Sequence, residues 1–312
     1  MPFFQLGLLV ARCRVGRGVL LSRVIPFYFW GAKVYNGLGS FVFMKNKIGL
    51  LGPLGTFTEE AAGKYCNDCE MVPYRTISEV FRAVKSGDVS KGVVPIENFL
   101  NGHVMETLDN LYKSDVKIQE ALVLSIRHCL ATRKGVSDIK IVKSHPQALA
   151  QCSDYLDANY SGADRIGTLS TASAMKEIVY GEAAIGSEVA AKRYDLNVVA
   201  RGIGNNDNNK TMFIVVGNEV VARGERSRTS LVITPSANKP GVLSDMLNDF
   251  ADEHVDLKMI QSRPDGNGGY IFYIDIEGHT EDDNVVRALE GIVEDSVVKV
   301  LGSYPYVSLS GK

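Results

Sequence analysis

Lys47–Ala62 reads KIGLLGPLGTFTEEAA: a short apolar run, a Gly-Pro-Leu-Gly turn, then hydroxyls, acids and small residues. The run is too short and too glycine-rich for a helix. Thr56, followed three residues later by Glu59, has the form of a capping box, so the chain passes from a strand through a tight turn into a helix. The same rhythm recurs: a helix from Ser78, the run Gly92–Ile96, a helix near Val104–Tyr112, strands in Gln119–Ile126 and Ile139–Lys143, and a helix from Pro146. A short strand at Arg165–Leu169, a helix from Ser173, Ala183–Ile185, the helix Glu188–Tyr194, Val198–Ala200 and Thr211–Val216 complete the series. This alternation predicts an α/β fold with parallel crossovers, helices on both faces and ligands beyond the carboxyl ends of the strands.

Around Asn218–Arg228 the periodicity gives way to a charged stretch, Arg223-Gly224-Glu225-Arg226-Ser227-Arg228, which reads as a linker. Beyond it come a strand (Ser230–Thr234), a helix (Gly241–His254), a strand (Leu257–Ser262), a Gly-rich turn, a strand (Tyr270–Glu277), a helix (Asp282–Val293) and a strand (Val297–Gly302). That order is a βαββαβ unit of domain size. The expected domains are 46–222 and 227–308. Residues 1–45 stand apart, with Arg12, Arg14, Arg17, Arg23 and Lys33 but no Asp or Glu. Such composition resembles a transit peptide; translated upstream sequence ahead of a start at Met44 is the alternative, and the extension is left out of the fold.

A net charge of -2 and a pI near 6.2 give no basic field, so neither nucleic acid nor an anionic membrane is expected as a partner. Cys13, Cys66, Cys69, Cys129 and Cys152 are odd in number and scattered, which suits a reducing, cytoplasmic setting better than a secreted disulfide framework. Cys66-Asn67-Asp68-Cys69 has no second pair nearby to complete a zinc tetrahedron and reads as a half-buried helix end.

Three strand ends run straight into helix starts: Thr56-Phe57-Thr58-Glu59, Ser144-His145-Pro146-Gln147 and Ser170-Thr171-Ala172-Ser173. Helix N-termini expose unpaired N–H groups and the positive dipole end, so several converging on one cleft would suit a small dianion. Neutral polar groups accompany them. Asn98 ends the Pro95-Ile96-Glu97-Asn98 strand, Gln151 lies one turn beyond Gln147, and Thr211 follows the loop Asn205-Asn206-Asp207-Asn208-Asn209. No Ser-His-Asp order, P-loop, G-x-G-x-x-G or metal cluster is present, which favours a reaction needing no cofactor, metal or covalent nucleophile. His145 reads as structural, His103 and Glu97 flank the Asn98 motif, and His128, His254 and His279 have no partner identifiable from sequence.

Gly52–Ala62, Val94–Leu111 (VPIENFLNGHVMETLDNL), Ser144–Cys152 (SHPQALAQC), Ser170–Ala172, Ala183–Leu196 and Asn209–Phe213 (NKTMF) resemble, in family order, the successive motifs of prephenate dehydratases. Pro240-Gly241-Val242-Leu243 and Gln261-Ser262-Arg263-Pro264 resemble the G-A-L and E-S-R-P positions of the ACT domain in those enzymes. The likeness spans nearly all of 47–304. It implies a two-lobed, periplasmic-binding-protein-like α/β catalytic domain followed by a ferredoxin-like ACT domain. It also implies a homodimer or homotetramer that converts prephenate to phenylpyruvate without a cofactor, under feedback control by L-phenylalanine. An arogenate dehydratase and a catalytically silent amino-acid sensor are the rival readings. By motif, Thr211 would assist the leaving hydroxyl, while Asn98, Ser144 and Gln151 orient the substrate. Thr56, Ser170 and Thr171 would hold carboxylates over an apolar floor of Phe57 and Phe213. Gly241, Val242 and Leu243, with Ser262, Arg263 and Pro264, would form a phenylalanine site between two modules.

Two departures stand out. Thr211-Met212-Phe213 replaces the family's T-R-F, and Glu97-Asn98-Phe99 its E-N-S. Met cannot imitate a planar, permanently charged fork, so if the family's Arg holds a carboxylate, substrate binding should be weakened unless Lys210 compensates.

Overall fold

The computed structural model describes residues 33–35, 41–43, 46–219, 221–224, 226–237 and 239–308. The expectations for 1–45 therefore lie largely outside the described residues. That segment contributes one short antiparallel pair, β1 (Lys33–Tyr35) with β2 (Phe41–Phe43).

The decisive stretch is β3 (Lys47–Leu51), and it leads into α1 (Phe57–Tyr65) as expected. Then follow β4 (Glu70–Tyr74), α2 (Ile77–Ser86), β5 (Lys91–Asn98), β6 (Gly102–His103), α3 (Met105–Lys113) and β7 (Lys117–Ser125). Helix α2 illustrates the local logic. Ile77, Val80, Phe81 and Val84 recur at helical spacing and are buried, Thr76 caps the Glu79 N–H, and Gly87 closes the helix in the left-handed region.

After β7 the chain crosses into a second lobe. This lobe is β8 (Cys129–Thr132), β9 (Ile141–Ser144), α4 (Pro146–Gln151), α5 (Ser153–Asn159), β10 (Asp164–Gly167), α6 (Thr171–Glu177), β11 (Glu182–Gly186), α7 (Glu188–Arg193) and β12 (Asn197–Arg201). The chain then returns to the first lobe as β13 (Lys210–Gly217). The two crossing segments are tied together: Ile126 N–H donates to the Asn209 carbonyl (2.8 Å) and Ile203 N–H to that of His128 (3.2 Å). The lobes are mixed sheets that contain the expected parallel crossovers and antiparallel strands besides. β3 is parallel to β4 and β5, and β9 to β10 and β11, but β8, β12 and β13 run antiparallel to their neighbours, because a chain that leaves a lobe and returns reverses its direction.

The C-terminal module is β14 (Ser227–Pro235), α8 (Val242–Asp252), β15 (Leu257–Pro264), β16 (Tyr270–Glu277), α9 (Asp283–Asp295) and β17 (Ser296–Ser308), the expected βαββαβ order. Two features differ from the sequence reading. Ser227 and Arg228 belong to β14 and not to a linker. Strand β17 continues past Gly302 and pairs in parallel with β7 (Tyr306 opposite Ala121), so the module's sheet and the first lobe's sheet are one, in the order β15-β16-β14-β17-β7-β13-β5-β3-β4. One face of the module's strands packs under α8 and α9. The other places Val232, Ile271, Tyr273 and Leu301 in a shared core with Leu108, Leu111 and Ile118 of the first lobe. Burial on both faces explains the apolar run of β16, Tyr270–Glu277.

Cys66 caps α1 half-buried, as read, and is in addition joined to Cys69 by a disulfide. Among the described residues no helix is long and apolar enough to cross a membrane.

Candidate active site

A cavity of about 280 Å³ lies where the lobes meet at the crossing segments. Thr56 and Phe57 at the start of α1, His145 and Gln147 at the start of α4, and Ser170 and Thr171 at the start of α6 all line it, so the three helix N-termini converge on one cavity. Thr56 Oγ1 accepts from the Glu59 N–H (3.4 Å), Ser170 and Ser173 form a reciprocal capping box, and His145 Nδ1 accepts from the Gln147 N–H (3.3 Å). The Glu59 half of the predicted box is displaced by one residue, to the Gly55 N–H, and the same carboxylate pairs with Arg193 of α7. Gly55 is held between lobes: its carbonyl accepts from Ser187 Oγ (2.8 Å), its φ is +97°, and a Cβ there would stand 3.1 Å from that of Ala190.

From the first lobe come Asn98, Thr211 and Phe213; from the crossing segments come His128 and Asn209; from the second lobe comes Gln151. The backbone N–H groups of Leu100 and Asn101 donate to Asn98 Oδ1 (3.2 and 3.1 Å), which fixes the amide with Nδ2 outward. That Nδ2 donates to Thr211 Oγ1 (2.9 Å), Asn209 Oδ1 (3.0 Å) and the Lys210 carbonyl (3.2 Å). Asn209 Nδ2 donates in turn to Gln151 Oε1 (3.1 Å), which also lies 3.0 Å from His128 Nε2. One network thus spans both lobes and both crossings. No Lys or Arg stands among the side chains lining the cavity.

Eight of the nine candidate substrate-site residues reach this wall; Ser144 does not. It is fully buried, its hydroxyl donates to the Ile185 carbonyl (2.7 Å), and it is not among the lining residues. It anchors the strand end that carries His145 and does not face the cavity. Sequence reasoning missed His128. It is 4% exposed, packs edge-on against Phe57 with ring centroids 5.5 Å apart, and burial lowers its pKa, opposed by the bond to Gln151. Its one signal in the sequence is position: it lies in the short gap between β7 and β8.

Met212 corrects the substrate-binding concern. Thr211 and Phe213 face the cavity, whereas Met212 is buried in the core on the other side of the strand, with Sδ 3.8 Å from the Arg228 guanidinium. Lys210 does not line the cavity either. Arg228 lies over the ring of Tyr306 (4.3 Å) and 3.9 Å from the buried carboxylate of Asp275.

In the C-terminal module, Val242 lines a second hollow of about 420 Å³ with Pro235, Asn267, Tyr270 and Phe272. Leu243 packs into the module's core, and Ser262 and Pro264 are exposed on the edge strand β15. Arg263 is paired with Asp109 of α3, and none of Ser262, Arg263 and Pro264 lines the hollow that Val242 does. Gly241 starts α8 at φ +92° with open space where a Cβ would stand, so its glycine is required by backbone conformation and not by crowding.

The sequence model of prephenate dehydratase matches residues 48–221, more than half of the chain. The chain belongs to the prephenate dehydratase family. The ACT domain model matches residues 235–294, and the two-lobed fold with its C-terminal ACT module is that of prephenate dehydratases. A bifunctional chorismate mutase/prephenate dehydratase of Pseudomonas aeruginosa is 38% identical over 267 residues, 83% of this chain and 73% of that protein. The arogenate dehydratase/prephenate dehydratase 2, chloroplastic, of Arabidopsis thaliana is 36% identical over 279 residues, 83% of this chain and 72% of that one. Among solved structures, the prephenate dehydratase of Arthrobacter aurescens in complex with L-Phe superposes with a TM-score of 0.77 at 34% identity, covering 83% of this chain and 89% of that one.

Proposed function

We propose that the interlobe cavity catalyses the decarboxylating dehydration of prephenate to phenylpyruvate, in phenylalanine biosynthesis, with Thr211 assisting departure of the hydroxyl. The observation that carries the role of Thr211 is the direction of its hydrogen bond. Oγ1 accepts from Asn98 Nδ2, so the hydroxyl's own hydrogen is turned elsewhere, and the residue lines the cavity. Prephenate loses carbon dioxide from one ring carbon and hydroxide from the opposite one. The electron pair of the breaking C–C bond enters the ring, the ring becomes aromatic, and the C–O pair leaves with the oxygen. The protein has to position the ring and stabilise charge developing on that oxygen. The N-termini of α1, α4 and α6 suit the carboxylates, and Phe57 and Phe213 supply an apolar wall beside the one that leaves as neutral carbon dioxide. Asn98, Asn209 and Gln151 hold the geometry.

Phenylalanine is the proposed effector, bound by the ACT module where the exposed strand β15 of one copy meets the β14–α8 turn of another. A homodimer or homotetramer in the cytoplasm follows from this reading. Arogenate is the second candidate substrate, favoured by the likeness to the Arabidopsis enzyme. Incubating the protein separately with prephenate and arogenate, and assaying phenylpyruvate and phenylalanine, tests the proposal. Phenylpyruvate from prephenate is expected; turnover of arogenate alone would replace the substrate, and turnover of neither would leave a binding protein.

A further inference from the structure

The network fixes which hydrogens point where, and it reaches His128. Asn98 Oδ1 accepts from two backbone N–H groups, so Nδ2 must be the atom facing Asn209 Oδ1. Asn209 Nδ2 must then face Gln151, whose Oε1 is the acceptor, while Gln151 Nε2 donates to Asn101 Oδ1 (3.2 Å). An acceptor oxygen 3.0 Å from His128 Nε2 requires the hydrogen on that nitrogen. Burial lowers the pKa of the imidazole and so favours its neutral form, which carries one hydrogen only; with that hydrogen on Nε2, Nδ1 is a bare lone pair. That Nδ1 is buried and has no partner among the described residues, although the ring lines the cavity.

An unpaired buried acceptor beside a ligand cavity is matched by a ligand donor. The wall otherwise offers donors, the Thr211 hydroxyl and helix N–H groups, which suit carboxylates. Resting on the prephenate reading, we infer that His128 is a further substrate-contacting residue, whose Nδ1 accepts the hydrogen of the ring hydroxyl that leaves. Prephenate with both carboxylates ionised has no other hydrogen to donate. Held from one side by Nδ1 and approached by the Thr211 hydrogen from another, the hydroxyl oxygen is turned for departure. It leaves with the C–O electron pair and keeps its own hydrogen, so His128 orients the group and takes no proton.

The groups in contact with the ring are uncharged: Phe57 of α1 and Gln151 of α4. His145 is the other titratable side chain on the cavity wall, and the adjacent Arg127 pairs with Asp207 at the surface. Protonating His128 would convert Nδ1 from acceptor to donor, so wild-type kcat/KM should fall on the acid side, below the ordinary histidine range.

Two substitutions separate contact from support. His128→Gln keeps a donor towards Gln151 and removes the Nδ1 acceptor; His128→Asn puts an amide oxygen near the Nδ1 position and gives up the contact with Gln151. The Gln variant should fold normally and lose kcat/KM on the order of tenfold or more through misorientation. The Asn variant should retain more activity, and neither should show the acid limb. Arogenate shares the ring hydroxyl but adds an ammonium donor, so the Gln variant should lose affinity for both compounds alike, with arogenate read as substrate or competitive inhibitor. Wild-type kinetics in the Gln variant, a rate that rises as pH falls, or a loss confined to arogenate would each overturn the assignment. Failure of the wild type to turn over prephenate would instead overturn the reading on which it rests.

Discussion

Strand β13 divides two polar regions built to different ends. Thr211 and Phe213 look into the cavity, where neutral amides and an imidazole form a chain that stops short of saturation. Met212, between them, looks towards Arg228, Asp275, Ser230 and Tyr304, a charged cluster closed upon itself at the junction with the ACT module. There Ser230 Oγ and Tyr304 Oη are 2.7 Å apart, and Asp275 is 6% exposed. A network meant to exchange partners with a ligand keeps unused valences, whereas one meant to hold two modules together uses them up. The same strand therefore makes adjacent residues answer to different measurements, kinetics for 211 and stability for 212.

The largest expected effect is on the cavity side. Thr211→Val should lower kcat by on the order of a hundredfold or more while leaving the thermal midpoint nearly unchanged. The fold should tolerate it because Asn98 Nδ2 keeps two other acceptors, Asn209 Oδ1 and the Lys210 carbonyl, so no buried donor is stranded. Near-normal kcat in the Val variant would remove Thr211 from the chemistry.

On the junction side the order of effects reverses. Burial raises the pKa of Asp275, against the opposing hydrogen bond from Ser230 and the charge of Arg228. An acid with a raised folded-state pKa contributes stability that is fully present below its ordinary value and is lost as pH rises through the raised one. Arg228→Met removes the group that limits this loss. The variant should be about 2 kcal/mol less stable at pH 7, and its deficit should shrink towards about pH 3, below the ordinary aspartate range, where the carboxyl is protonated in both states. Denaturant unfolding at the two pH values checks this, and a deficit independent of pH would take Asp275 out of the account.

Met212→Arg sharpens the contrast. If residue 212 touched substrate, restoring the family's Arg would lower KM for prephenate. Because the side chain is buried against Arg228, the substitution should leave KM unimproved and cost about 1–3 kcal/mol through crowding and like charge. Combining it with Arg228→Met should recover part of that loss, since one guanidinium would again stand beside Asp275. A lower KM in the single variant would show that the β13 faces are not separate.

Much of this organisation was legible before any coordinates. Strand-to-helix turns with hydroxyl caps are local events, and Thr56, His145 and Ser170 all proved to be caps on one cavity. The βαββαβ order was equally plain, since each element is long and periodic. What stayed hidden depends on non-local partners. Short strands such as β8 carry too few residues for a period. Arg228 looked like a linker residue because its partners, Met212, Asp275 and Tyr306, are distant in sequence. Ser144 carried the right motif, but sequence does not reveal that its hydroxyl turns inward to Ile185. His128 lacked any motif, and only the meeting of two crossing segments gives it neighbours.

The smallest expected effect lies in the ACT module and separates conformation from contact. Gly241 has a φ of +92°, and an added Cβ would meet nothing within 4 Å. Gly241→Ala therefore introduces no clash and acts through backbone strain alone, about 1 kcal/mol for a non-glycine residue held in the left-handed region. That strain can be relieved by shifting the turn that opens α8, where the Val242 N–H donates to the Lys239 carbonyl (3.3 Å) and Val242 lines the second hollow. Phenylalanine should then bind several-fold more weakly by calorimetric titration of the full chain, while the thermal midpoint falls by only a few degrees. A ligand regulates only to the extent that it prefers one conformation, so weaker binding should move the inhibition curve by the same factor. If the midpoint falls and phenylalanine affinity does not, the glycine serves the turn alone, and the effector is held by residues other than those around α8.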